Sequence, residues 1–284
     1  MNIVYLNGKY VPISQAGISP LDRGFLFGDG VYEIIGIFNG KLFRGREHLL
    51  RLQESLKAIQ LPIKISIKQW EDIFAELIKF NKAENKNKYI YLQITRGAAK
   101  TRSHTFPKPQ AKPTVFVMLG DSHIPDYKTL HKGFKAITHK DLRWEHCHIK
   151  TTSLLPNILL SQMAEKQQAT EVILIRDGYA IEGSNSNLFI VKNGIIITPR
   201  KTKHMLGGIT RELILELAAK HKMPYKIHNV SKADLFAADE LWVTSAARDI
   251  MPIIKLDNKL INKGKVGPEW EKMQKHFQNH KNKL

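Results

Sequence analysis

The chain has 284 residues, room for two ordinary domains or one large one, and its 43% hydrophobic and 25% charged content matches soluble globular proteins, which excludes bulk disorder and fibrous architectures. Forty-four Lys and Arg against 26 Asp and Glu give a net charge of +18, yet the cations run from Lys9 to Lys283 and gather only from Lys272 onward as a basic helix or tail. Dispersed charge of this kind governs solubility and weak association, so a basic nucleic-acid-binding protein stands as a reading from a different class, not as the leading one.

The predicted elements begin with a hairpin, because Ile3 to Leu6 and Lys9 to Ile13 flank Asn7-Gly8. Val31 to Phe38 reads as a strand, and Asn39-Gly40 turns the chain toward Lys41 to Phe43. Leu49, Leu52, Leu56 and Ile59, then Trp70, Ile73, Phe74, Leu77 and Ile78, recur at helical spacing and predict two amphipathic helices packed on this sheet. With the β-rich segments Tyr89 to Thr95 and Thr114 to Leu119 they make a small N-terminal α+β domain over residues 1–120. Polar and turn residues predict an interdomain linker over 121–132. Residues 133–284 read as a larger C-terminal domain. Its strands lie near Phe134 to His139, Glu171 to Ile175, Asn187 to Val191, Ile195 to Thr198 and Glu240 to Thr244, with flanking helices near Pro156 to Gln167 and Thr210 to His221. The fold class is therefore α+β with two domains, and the Met, Phe and Leu stripes are assigned to the core.

Lys150 closes a segment of partial alternation, Arg143 to Lys150, and reads as a strand-end lysine facing a cleft. Desolvation there lowers an amine's pKa and makes it a nucleophile toward aldehydes, although most lysines are solvated surface residues, so Lys150 needs partners. One partner is Glu182, which precedes the small polar loop Gly183 to Ser186. A carboxylate against a pyridine nitrogen keeps that nitrogen charged, and Ser184 and Asn185 are candidates for a phosphate or a ring oxygen; alone, the stretch is a turn. A second is Gly207-Gly208-Ile209-Thr210, which opens an amphipathic helix and offers backbone N–H groups to an anion. His146, Cys147 and His148, read as strand residues, face alternate sides and do not share a metal, so no metal is expected and Cys147 is read as a buried structural thiol. As the sole cysteine it forms no intramolecular disulfide, which fits a reducing compartment; no long apolar run is present, and the expected location is the cytoplasm.

Taken in order, these segments resemble the fold-type IV pyridoxal-phosphate enzymes over nearly the full length, and within them the bacterial D-amino acid aminotransferases. The resemblance is carried by Asp22 to Glu33, Glu47-His48 with Arg51-Leu52, Thr95-Arg96-Gly97, Asp141 to Trp144 with Ile149-Lys150, Glu182-Gly183-Ser184, Gly208 to Arg211, and Val243-Thr244-Ser245 with Pro252. It implies that Lys150 forms the internal aldimine and shuttles the proton, that Glu182 binds the pyridine nitrogen, and that Arg51, Ile209, Thr210 and Ser245 hold the phosphate. Tyr32 would line the substrate pocket, and Arg143 would lie near the site. Arg102 and His104, two apart in an extended loop and reaching across a dimer interface, would join Tyr32 in trapping the substrate α-carboxylate. The implied reaction is ping-pong transamination between a D-amino acid such as D-alanine and a 2-oxo acid such as 2-oxoglutarate, by a homodimer with a composite site. A branched-chain L-amino acid aminotransferase and a 4-amino-4-deoxychorismate lyase share the fold and are the alternatives. The sequence departs from the family's Ser-Thr-Thr phosphate loop in Ser245-Ala246-Ala247, followed by Arg248, and in Asn185 where a serine is common.

Overall fold

The computed structural model describes residues 2–84 and 86–284. The chain divides into two compact units, the first comprising Met1–Ser122, Ile149–Leu154 and Leu284, the second His123–His148 and Leu155–Lys283.

In the first unit, β1 (Ile3–Leu6) and β2 (Lys9–Pro12) form the expected hairpin. Asn7 and Gly8 take φ of 51° and 94°, the left-handed conformations that a two-residue turn demands and that Gly adopts without strain. There follow α1 (Arg23–Phe27), β3 (Gly30–Phe38), β4 (Lys41–Leu42), α2 (Gly45–Ala58), α3 (Ile67–Phe80), β5 (Lys88–Thr95) and β6 (Thr114–Asp121). The strands make one antiparallel sheet in the order β2-β1-β6-β5-β3-β4. Alternation puts Val31, Ile35 and Ile37 of β3 on the face that receives Leu49 and Leu52 of α2 and Trp70, Phe74 and Leu77 of α3. A capping box between Ser66 and Gln69 starts α3, so its boundary is set locally while its apolar face sets its position.

The second unit contains α4 (Tyr127–His131), β7 (Phe134–Lys140), α5 (Leu155–Lys166), β8 (Glu171–Arg176), β9 (Tyr179–Gly183), β10 (Asn187–Lys192), β11 (Ile195–Thr198), α6 (Ile209–Lys220), β12 (Tyr225–Ile227), β13 (Val230–Ser231), α7 (Lys232–Phe236), β14 (Glu240–Ser245), β15 (Asp249–Leu256), β16 (Lys259–Leu260) and α8 (Pro268–Lys281). Its strands form a mixed sheet in the order β12-β11-β10-β14-β15-β7-β8-β9-β13, with β16 on β15. Phe189 and Trp242 face each other across β10 and β14 and are fully buried. Glu240 accepts hydrogen bonds from the Glu269 and Trp270 amides at 2.9 Å, supplying the N-terminal cap that Gly267 lacks a side chain to give α8.

Three sequence expectations are corrected. The segment read as a linker is grouped with the second unit from His123 onward and carries α4. Residues 143–150 are not a strand; Ile149–Leu154 belongs with the first unit because Ile149 enters its core and the backbone of Lys150 and Thr152 pairs with Tyr32 and Gly30. Not every apolar stripe is core, since Leu155, Ile158 and Leu159 of α5 are 60–65% exposed. For the core itself, Phe74→Ala is expected to cost about 3–5 kcal/mol, seen as a lowered urea midpoint with an unchanged slope.

Candidate active site

The peptide of Lys150 is fixed on both sides: its carbonyl accepts the Tyr32 amide at 3.0 Å and its own amide donates to Ser55 Oγ at 3.3 Å. That leaves the side chain directed by a rigid backbone, and Nζ stands 4.3 Å from the centroid of the Tyr32 ring. An ammonium over an aromatic face is attracted by the ring quadrupole, a contact through which Tyr32 steers the Lys150 side chain. Burial, followed by the charge of Glu33, raises the Tyr32 phenol above its ordinary pKa, so the ring stays a neutral hydroxyl.

Beside it, Arg51 grips Glu33 with both Nε (2.8 Å) and Nη2 (2.7 Å), and His48 Nδ1 donates to the same carboxylate at 2.8 Å. Burial alone would raise Glu33, but the Arg51 charge and the hydrogen bonds from Arg51 and His48 bring its carboxyl down to about 2, so it is ionised throughout the physiological range. Arg51 is therefore oriented by a buried carboxylate, a partner that the sequence reading did not assign. Arg102 and His104 lie in an irregular loop, as expected. The Arg102 guanidinium sits 4.8 Å from the Phe27 ring centroid and the His104 ring 5.4 Å from it, so both residues of the Arg-x-His pair pack on one aromatic platform. Arg23 secures the loop through the Ser103 carbonyl at 2.5 Å and is itself held by Asp29 at 2.8 Å.

In the second unit Glu182, near the end of β9, is almost fully buried. Arg143 Nη1 donates to its Oε1 at 2.7 Å, while Asn187 Nδ2 and the Leu206 amide donate to Oε2 at 3.1 and 3.2 Å. Burial pushes the carboxyl up to about 7, against the lowering effect of Arg143 and the Leu206 amide. Arg143 stays a guanidinium because Asp141 grips it at 2.9 and 3.1 Å, outweighing the cost of its burial. Asn187 ties this carboxylate to the start of α6: its Nδ2 also donates to the Leu206 carbonyl at 2.8 Å, and its side chain abuts Gly208, where a Cβ would collide with Oδ1. Gly208 is the N-cap of α6 and has no side chain to cap it, so among the described residues the first turn carries no side-chain cap. Asn187 is also paired in register with Thr244, the neighbour of Ser245, whose buried Oγ has no hydrogen-bond partner among the described residues. Glu182, Ile209, Thr210 and Ser245 are thus gathered within one unit.

The other two candidates are placed differently. Ser184 donates its hydroxyl to Glu171 at 2.5 Å and its amide to Glu171 and Val172, and Asn185 donates to Ser161 Oγ at 2.7 Å. Cys147 is only half-buried, not buried, and its Sγ donates to the Trp144 carbonyl at 3.1 Å; burial pushes the thiol up to about 11, which makes it a poor nucleophile. Sequence reasoning missed Asn187, which donates to Glu182, and Glu171, which accepts from Ser184 and Ser186 in the turn after it. Their signal was polarity at the first position of strands otherwise composed of apolar residues.

The family description Amino-transferase class IV matches residues 30–256. The chain belongs to this family. Among class IV aminotransferases and their relatives, it is 38% identical over 280 residues to the D-alanine aminotransferase of Staphylococcus aureus strain N315, covering 99% of this chain and 98% of the relative. It is 36% identical over 279 residues to the D-alanine aminotransferase of Bacillus licheniformis, covering 97% and 96%. Its fold is similar to that of the branched-chain amino acid aminotransferase from Escherichia coli, with a TM-score of 0.87, 25% identity and coverage of 97% of this chain and 92% of that one. This class IV chain therefore has the fold-type IV α+β architecture that the motifs implied. Among the described residues no helix is long and apolar enough to cross a membrane.

The raised Glu182 carboxyl has a consequence for the apoprotein. The folded chain keeps this proton up to about pH 7, whereas an ordinary glutamate releases it near 4.5, so within that window the folded state binds more protons and stability falls as pH rises. Glu182→Gln is expected to flatten the decline of Tm with pH between those values; an unchanged slope would refute the assignment.

Proposed function

We propose that this class IV aminotransferase uses pyridoxal phosphate to move an amino group from a D-amino acid such as D-alanine to a 2-oxo acid such as 2-oxoglutarate, as a cytoplasmic homodimer. The observation that carries the reading is the set of groups around Glu182. Among the described residues, a buried carboxylate, a helix N-terminus at Ile209 and Thr210 without a side-chain cap and a buried Ser245 hydroxyl without a hydrogen-bond partner suit a pyridine nitrogen and a phosphate. The residues present fit the cofactor in charge and in donor type. Bound pyridoxal phosphate supplies an aldehyde that condenses with amines and a ring that withdraws electrons from the substrate Cα.

The chain's own residues do the rest. Lys150 Nζ would be the nucleophile toward the aldehyde and, when free, the base that carries the proton from the substrate Cα to the aldehyde-derived carbon of the cofactor. Glu182 would keep the pyridine nitrogen protonated by facing it with a buried carboxylate that Arg143 orients. Ile209 and Thr210 hold the phosphate through the helix N-terminus, Ser245 through its hydroxyl, and Arg51 as a fork oriented by Glu33. Ser184 and Asn185, committed to Glu171 and Ser161, orient the turn that follows Glu182. Arg102 and His104 bind the substrate carboxylate, with Tyr32 lining the pocket. The D-amino acid reading is supported by these two residues and by the likeness to D-alanine aminotransferases over nearly the whole chain. The homodimer is supported by Leu155, Ile158 and Leu159, an apolar face of α5 that this chain leaves open.

Borohydride reduction in the presence of pyridoxal phosphate is expected to label Lys150 by mass spectrometry, and Lys150→Ala to lower transamination by about 10²–10⁴-fold or more. Labelling elsewhere, or salt-sensitive nucleic-acid binding as the sole activity, would overturn the reading. In a coupled assay D-alanine with 2-oxoglutarate should yield pyruvate, and Arg102→Leu should raise KM for D-alanine about tenfold or more. Turnover of L-leucine or aminodeoxychorismate in its place would shift the assignment to a fold-mate. Light scattering at the monomer mass of 32.5 kDa would remove the dimer.

A further inference from the structure

We propose that Glu171 and Arg248 are positioning residues that hold the turn after Glu182 and the turn after Ser245 in one fixed relation, and so set the affinity for the cofactor's phosphate. The proposal rests on the function proposed above.

Glu171 opens β8 and is 1% exposed, yet it is ringed by donors. Its Oε1 accepts from Ser184 Oγ at 2.5 Å, the Ser184 amide at 3.0 Å and the Val172 amide at 2.9 Å; its Oε2 accepts from Ser186 Oγ and Arg248 Nη2, each at 2.7 Å. A carboxylate so satisfied is directional in a way that a buried aliphatic residue is not. Ser184 and Ser186 form the turn between Glu182 and Asn187, and Gly183 in that turn has no room for a Cβ, which would collide with Ser186 Oγ and the Glu171 carboxylate. On the other side, Arg248 lies in the turn that joins β14 to β15. Its amide donates to the Ser245 carbonyl at 3.3 Å and its Nη1 to the Thr170 carbonyl at 3.2 Å. The next residue, Asp249, takes φ of 54° and is gripped by Lys281 at 2.7 Å and Gln278 at 3.3 Å, so the far end of the turn is fixed too.

One buried carboxylate is thus bonded both to the turn that follows Glu182 and to the turn that presents Ser245. Ala246 and Ala247 contribute no hydroxyls there, which leaves the placement of Ser245 Oγ to the backbone that Arg248 anchors. Neither Glu171 nor Arg248 is assigned contact with substrate or with a reacting atom, so their effect falls on binding and not on proton transfer.

The test titrates pyridoxal phosphate, and separately inorganic phosphate, into apoprotein of the parent chain, Glu171→Gln, Arg248→Met, Arg248→Lys and the double variant, following absorbance and intrinsic fluorescence. Glu171→Gln and Arg248→Met are expected to weaken pyridoxal-phosphate binding about 10–100-fold, the scale on which groups that orient a ligand's own partners act. Arg248→Lys, which keeps the charge but loses the fork, should recover part of the loss, and the double variant should be no worse than the weaker single one. The kcat at saturating cofactor should stay within about twofold. Equal affinity in all variants, or a fall in kcat with affinity unchanged, would overturn the proposal while leaving the aminotransferase reading intact. A parent chain that fails to bind pyridoxal phosphate would overturn that reading instead. Arg248 is partly exposed, so Arg248→Met with unchanged circular dichroism serves should Glu171→Gln not fold.

Discussion

The ion pair between Arg143 and Glu182 is the interaction on which the order of the loops around the end of β9 depends. Glu182 is buried, and a buried carboxylate without a cation is expelled or protonated. Arg143 answers it from an irregular segment that has no strand ladder to hold it, and Asp141 holds Arg143 in turn, with Arg176 behind at 3.1 Å. The same guanidinium donates to the His204 carbonyl at 3.1 Å, and Arg176 donates to the Arg143 carbonyl at 2.9 Å. Alternating charges therefore stand in for backbone pairing, and two loops that a sheet could not reach are ordered by side chains. Removing one member of such a buried pair leaves an uncompensated charge, typically at a cost of about 3–5 kcal/mol.

The first unit solves the same problem to a different end. Glu33 sits on the apolar face of β3 among Val31 and Ile35, and it receives two cationic or hydrogen-bonding partners from one turn of α2, His48 and Arg51. Its carboxyl falls to about 2, whereas Glu182, with one guanidinium already shared with Asp141, rises to about 7. One carboxylate is a permanent anion that orients an arginine, and the other is pushed by burial up to about 7. Burial is common to both; the number of cations left over for each decides the outcome.

Much of this was legible in the sequence where local signals and period agreed. Asn7-Gly8 fixed a hairpin, and Trp70, Phe74, Leu77 and Ile78 marked a helix face that the structure buries. Lys150, Glu182 and the Gly208 helix start stood out by residue type and order alone. What stayed hidden depends on distance in the chain: Glu33 to Arg51, Arg143 to Glu182, and Glu171 to Arg248 are 18, 39 and 77 residues apart. Residues 143–150 misled because alternation in charge and polarity looks like a strand, when the polar residues are there to reach other loops. Ile149–Leu154 lies on the first unit although its sequence neighbours do not, a return passage that no periodicity records.

Phe27 supports Arg102 and His104 through ring contacts, while Arg23 clasps the backbone between Ser103 and Thr105. Neither anchor draws on the sheet ladder or on the apolar core beneath it. Insertions and exchanges in residues 98–113 can consequently drift without eroding the scaffold, so evolvability is confined to a strap clipped onto a stiff frame at an arene and a guanidinium.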